Sequence, residues 1–213
     1  QDIKWLEKNV RAYDEITHKL FSQTTFIPIR FGTIYLTKER VKEGIKVYKD
    51  QVLQLVETLN GKIELGVKFY IDRKKLQDKL LTIDSGVQDL HIKIQGESPG
   101  KAHFLKKKLE TLSDEKVETW ISDVSQLLTE SLKGISSNIQ LLNLQPKEGA
   151  NKMFLNIACL LSSSKLEWFK EMVKNLISQE KLDCIECEIT GPWPPYSFVK
   201  LENQELGKES SHA

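Results

Sequence analysis

Cys184 and Cys187 stand three residues apart, the spacing of a redox dithiol or of half a zinc site. Their setting, Cys184-Ile185-Glu186-Cys187-Glu188-Ile189, alternates like a strand, and an odd separation in a strand puts two thiols on opposite faces. They read as a small buried residue and an incidental thiol. With Cys159 the count is three, which fits a reducing compartment and argues against a disulfide framework. His18, His91, His103 and His212 are scattered, none at metal-ligand spacing from a cysteine or carboxylate. The chain has no G-x-S-x-G, no P-loop and no G-x-G-x-x-G. Ser162-Ser163-Ser164 closes a strand, and Ser164 is explained as a helix cap. These residues give no catalytic group, no metal centre, no cofactor cradle and no small-molecule substrate, so the expectation is a protein that is not an enzyme.

Charge points the same way. Lys and Arg number 31 against 30 Asp and Glu, so nothing electrostatic calls for nucleic acid. The short basic run Lys106-Lys107-Lys108 reads as a solvated helix face. No apolar run of about 18 residues is present, so no membrane span is expected, and no signal peptide is visible. The expected location is cytoplasmic. The chain opens at Gln1 already in helical pattern, and sequence upstream is expected.

Two segments carry information beyond a core. Gly191-Pro192-Trp193-Pro194-Pro195-Tyr196-Ser197-Phe198 packs three prolines and three aromatics onto a preset backbone. Each proline fixes its own φ, removes a donor and pushes the preceding residue toward extended geometry. The piece is either a rigid strap packing Trp193 and Tyr196 onto the sheet and joining two domains, or an aromatic-proline surface for another protein. The other segment, Phe26-Ile27-Pro28-Ile29-Arg30-Phe31-Gly32-Thr33, interrupts a β-rich run with a proline and a glycine. It reads as a bulged edge strand with Arg30 paired to a carboxylate, or as a domain junction or partner contact. The residues marked for partner binding or a domain junction are therefore Pro28, Arg30, Phe31, Gly32, Thr33, Gly191, Pro192, Trp193, Pro194, Pro195, Tyr196 and Phe198.

The elements that must position these segments follow from periodicity. Leu6, Val10, Tyr13, Ile16 and Leu20 mark a helix over 3–21, and Val41, Ile45, Tyr48, Val52, Leu55 and Leu59 mark a second one capped by Thr37 and stopped by Asn60-Gly61. Ile63, Leu65, Val67, Phe69 and Ile71 then alternate with polar neighbours as a strand with one apolar face. Residues 72–100 hold a short charged helix and two turn signals, and a long helix runs from Lys101 to about Gly134. Strands over 139–144 and 153–161 flank a hairpin turn at 146–149, the second apolar on both faces and therefore central. Ser164-Lys165-Leu166-Glu167 is a capping box opening another helix, and a last strand runs 183–190. The order strand, helix, strand, strand, helix, strand predicts an α+β fold: a C-terminal ferredoxin-like βαββαβ antiparallel sheet with helices on one face over 62–199. Residues 1–61 form an N-terminal α+β domain, and 200–213 a flexible polar tail.

Five stretches, in order along nearly the whole chain, resemble the gas vesicle protein F and L family. Thr25 to Tyr35 is similar to its "vlPvRFGTvf" segment, Leu59 to Lys68 to "l.GkvEwgvKv", and Pro99 to Leu105 to "sGraYL". Asn156 to Leu161 is similar to "NaAyLv", and Thr190 to Val199 matches "tGPWPPYSFv" throughout. Leu65 replaces a frequent aromatic, and His103-Phe104 departs from the usual aromatic-leucine pattern. The chain also lacks the family's opening strand resembling "YvYGi", so the N-terminal domain is expected to be incomplete at its start. The resemblance implies a modified ferredoxin-like N-terminal domain and an accessory role in building gas vesicles, the hollow shells that give bacteria and archaea buoyancy. It implies binding to the small hydrophobic shell protein and to other accessory proteins, help in nucleating or assembling the shell, and no enzymatic activity. The edge at 26–33 and the overhanging long helix are the surfaces expected to meet the shell protein. A ferredoxin-like regulatory or small-ligand-binding module is the alternative.

Overall fold

The computed structural model describes residues 3–29, 31–145, 151–178 and 182–201. Arg30, the turn expected at 146–149 and the tail beyond Leu201 lie outside the described residues. The chain divides into two compact units: the described parts of Gln1–Glu64, Leu160–Ser163 and Gly191–Ala213, and the described parts of Leu65–Cys159 and Ser164–Thr190. Gly191 onward therefore groups with the N-terminal stretch, whereas the sequence reading kept it with residues 62–190.

The chain forms a sheet of order β2-β3-β1-β4, most of whose residues belong to the second unit. Its strands are β1 (Lys62–Asp72), β2 (Asn138–Leu141), β3 (Asn151–Ser162) and β4 (Ile185–Trp193). The β1–β4 pair is antiparallel. The Asp72 N–H donates to the Cys184 carbonyl at 3.2 Å, while Thr190 lies opposite Gly66. Leu65, Val67, Phe69 and Ile71 of β1 are buried, as alternation predicted, but Glu64 and Tyr70 on the opposite face are buried too. Residues 155–161 of β3 are buried without a break, which suits its central place. β4 sits at an edge, and there Pro192 can end a strand without breaking a ladder between two neighbours. It extends to Trp193, three residues past the predicted end at Thr190.

Between β1 and β2 the chain forms α4 (Arg73–Ile83), α5 (Ser85–Gln95) and α6 (Pro99–Ile135), which pack on one another. Asp72 caps α4 by accepting from the Lys75 N–H, and Asp84 caps α5 by accepting from the Val87 N–H. Asp84 also meets Lys116 of α6 at 2.8 Å. The ambiguous stretch 72–100 is thus a helical hairpin, with Asp84 as break and cap at once. Thirty-seven residues make α6 about 55 Å long. α7 (Leu166–Ile177) buries Phe169 and Val173. The expected capping box does not open it: Ser163–Lys165 form a 3-10 turn, and Lys165 caps the helix without a side-chain bond.

The first unit contains α1 (Ile3–Gln23), α2 (Lys38–Val47) and α3 (Lys49–Leu59). Thr37 caps α2 through the Arg40 N–H as expected. The single helix predicted over 37–59 is broken at Tyr48. Gly61 (φ +66) ends the run in a conformation that disfavours a side chain. In α1 the packed positions are Tyr13, Thr17 and Phe21, spaced by four, while much of the predicted stripe is exposed. Among the described residues of 24–36 the expected strand is not formed. Residues 25–29 are irregular and Phe31-Gly32 make a turn, because Pro28 has no N–H for a ladder and Gly32 adopts φ +85.

Candidate partner-binding site

One helix face holds both of the segments marked by the sequence. The Tyr13 hydroxyl donates to the Ile29 carbonyl, and its ring meets Phe31 edge-on at 5.5 Å between centroids. One turn on, the Thr17 hydroxyl donates to the Asp14 carbonyl at 2.9 Å and accepts from the Tyr196 hydroxyl at 3.0 Å. His18 meets the Trp193 ring edge-on at 5.5 Å. Thr17 is buried, so its oxygen must be satisfied within the protein, and Tyr196 does this. The spacing of four puts Tyr13 and Thr17 on one side of α1, with His18 flanking them.

The segment after β4 is fixed at several points. Gly191 takes φ +109, which a side chain would disfavour. Pro194 and Pro195 are buried, while Trp193 keeps 37% of its surface exposed. The Tyr196 N–H donates to the Pro194 carbonyl at 2.7 Å and the Phe198 N–H to that of Pro195 at 3.1 Å, closing a 3-10 turn. Glu64 then binds Ser197 twice: Oε2 accepts from the backbone N–H at 2.8 Å and Oε1 from the hydroxyl at 2.7 Å. Burial pushes the Glu64 carboxyl above its ordinary range, and the two bonds from Ser197 pull the other way. Burial also raises the Tyr13 phenol, with Tyr196 adding to the effect. Thr25 ties the other segment to the end of α3 through the Asn60 side chain at 2.7 Å.

Between these segments opens a groove of about 540 Å³. Ile27, Pro28, Ile29 and Thr33 line it from the first segment, Tyr196, Ser197, Val199 and Leu201 from the second, and Tyr35 and Tyr48 complete it. None of these ten side chains is charged. Phe31, Ile34, Tyr35 and Leu36 expose further apolar surface in the same run. Such a concavity suits an apolar segment whose few polar groups meet tyrosine, threonine or serine hydroxyls. A second groove of about 580 Å³ is lined by residues that include His18, Phe21, Phe26, Leu59, Pro192 and the charged Lys62.

Of the residues marked by sequence, Pro28, Thr33 and Tyr196 line the uncharged groove, and Phe31 and Gly32 form the turn between Ile29 and Thr33. Pro192 lines the second groove. Gly191, Trp193, Pro194, Pro195 and Phe198 shape the strap, and Arg30 lies outside the described residues. Sequence reasoning missed Glu64, Tyr13 and Thr17 in these roles. Glu64 occupies a polar position of an alternating strand and reads as solvent-facing. Tyr13, Thr17 and Phe21 share a spacing of four that could have marked them.

The Ser197 hydroxyl on a carboxylate has the geometry of a nucleophile and base, yet the second oxygen of that carboxylate holds the backbone of the same serine. Cys187 on β4 has its thiol pushed up to about 12, chiefly by burial and then by Cys159, which leaves it a poor nucleophile. Among the described residues no group of three or more His, Cys, Asp or Glu could hold a metal ion, and no helix is long and apolar enough to cross a membrane.

The family model described as "Gas vesicle synthesis protein GvpL/GvpF" matches residues 1–200. "Gas vesicle protein L" of Streptomyces sp. (strain CB03234) is 24% identical over 220 residues, covering 98% of this chain and 77% of that protein. The crystal structure of gas vesicle protein GvpF from Anabaena sp. PCC7120 aligns with a TM-score of 0.72 at 18% identity, covering 92% of this chain and 79% of that one. GvpF from Microcystis aeruginosa aligns with a TM-score of 0.59 at 18% identity, covering 90% and 76%. These structures share the mixed α+β fold.

Proposed function

The chain belongs to the GvpL/GvpF family of gas vesicle synthesis proteins, and from that premise we propose that it is a non-enzymatic accessory factor that binds the small hydrophobic shell protein and helps nucleate or build the vesicle. The observation that carries this reading is the groove whose described lining carries no charge, assembled from Ile27, Pro28, Ile29 and Thr33 and from Tyr196, Ser197, Val199 and Leu201 on the Tyr13–Thr17 face of α1. A shell subunit that associates through apolar surfaces aggregates when free, and a groove without charges can cover part of that surface until growth begins. Further accessory proteins of the vesicle are partners in the same reading, and the protein works in the cytoplasm at the vesicle. The strand order β2-β3-β1-β4 supports taking the sheet with its helices as ferredoxin-like.

The test is co-expression with the shell protein followed by capture through a tag on this chain. The variant Ile29→Glu places a charge at a half-exposed groove position. Wild type captures shell protein and Ile29→Glu captures at least tenfold less while keeping its helical circular dichroism. Equal capture by both, or none by wild type, overturns the reading.

A further inference from the structure

Between Asp89 and Glu110 the end of α5, the following loop and the first turns of α6 carry a local excess of cations, which the acids farther along α6 balance. From Leu90 to Leu109 the sequence holds five lysines (Lys93, Lys101, Lys106, Lys107, Lys108) and one acid, Glu97. This span has a formal charge of +4 in a chain of net +1. Lys101 pairs with Glu97 at 2.8 Å. Among the described residues Lys106, Lys107 and Lys108 enter no ion pair, and all three are exposed. α6 carries no acid in its first turn, where the macrodipole favours one, and has Lys101 there instead.

At the centre of this face stands Phe104, 68% exposed. Its helical neighbours at i−3, i+3 and i+4 are Lys101, Lys107 and Lys108. Covering such a ring with a partner would gain hydrophobic free energy. Lysine stems extend apolar surface around the ring while their ammonium groups reach outward. A single ring ringed by cations is too small an apolar area for insertion into a bilayer. A convex helix face with one aromatic offers no stacking platform for nucleic-acid bases.

We propose that the first turns of α6 form a docking surface for an acidic protein segment, with Phe104 entering an apolar notch of the partner and Lys107 and Lys108 meeting carboxylates beside it. The fit is one of charge complementarity about a central aromatic anchor. This surface is separate from the uncharged groove and takes a partner of opposite character.

The probe is a fluorescein-labelled amphipathic helical peptide with glutamate on its polar face and leucine on the other. Its lysine counterpart, single-stranded DNA and phosphatidylglycerol vesicles serve as comparisons. Anisotropy titrations of the full chain are expected to show binding of the acidic peptide that weakens as salt is raised. Binding falls at least tenfold in Lys106→Glu/Lys107→Glu/Lys108→Glu and severalfold in Phe104→Ala. The milder Lys106→Gln/Lys107→Gln/Lys108→Gln variant gives an intermediate loss and guards against a folding defect in the reversed one. No binding of the acidic peptide, equal binding by the Phe104→Ala variant, or tighter binding of DNA or vesicles overturns the proposal.

Discussion

Replacing Glu64 with alanine removes the acceptor that holds the strap after β4. The carboxylate is 6% exposed, and both its oxygens are occupied by Ser197. Alanine leaves a backbone N–H and a hydroxyl without partners. Each lost bond to a charged acceptor is worth about 1.5–3 kcal/mol, and release of the buried charge returns part of this. The balance is a loss of about 2 kcal/mol in the local stability of the strap, which converts to a roughly thirtyfold faster exchange of the Ser197 amide at tenfold per 1.36 kcal/mol. Hydrogen exchange read at Ser197, corrected for its intrinsic rate, measures this directly. Glu64→Gln separates shape from charge, because its amide can accept from the N–H while the Ser197 hydroxyl rotates to accept from it. Burial raises the Glu64 carboxyl above its ordinary value of 4.5, so the stability tied to this group is complete below that value and is lost as pH rises through the raised folded value. Protection of Ser197 in wild type therefore declines relative to Glu64→Gln as pH is raised above about 4.5. Unchanged exchange in Glu64→Ala, or parallel pH profiles for wild type and Glu64→Gln, refutes the reasoning.

Three further outcomes are expected. Tyr196→Phe leaves buried Thr17 without the hydroxyl that donates to it at 3.0 Å, which costs about 1 kcal/mol in a urea titration; no change would mean that the contact is not formed in solution. Gly66→Ala places a Cβ 2.6 Å from the Thr190 hydroxyl between β1 and β4, and destabilises by about 1–3 kcal/mol, read as a lowered thermal midpoint; Gly66→Ala with Thr190→Ala recovers most of the loss. Cys187, half-buried with its thiol pushed up to about 12, is alkylated by iodoacetamide at least about 100-fold more slowly in native protein than in urea at pH 8; comparable rates would contradict the raised thiol.

The sheet was legible because its signals are local. β1 alternates over most of its length, and β3, apolar on both faces, takes the central position expected of it. α6 was legible by its length. What sequence missed depends on distant partners. Phe26 to Thr33 has β-rich composition, yet its described residues join no ladder, since α1 takes up the Ile29 carbonyl through Tyr13. Glu64 looks solvent-facing until Ser197, 133 residues away, folds over it. The aromatic-proline segment announced its stiffness through its prolines, but only the pairing of Tyr196 with Thr17, 179 residues apart, shows what it rests on. Tyr48 interrupts a periodicity that reads as one helix.

The central claim is that the uncharged groove receives the shell protein, and cross-linking tests it most directly. A photoreactive benzoylphenylalanine is placed at Thr33 in the groove and, in a second protein, at exposed Lys174 on α7. Each is irradiated in cells making the shell protein. The account predicts an adduct of shell-protein mass from Thr33 and none from Lys174. Adducts from both positions in equal yield, or from Lys174 alone, would contradict it.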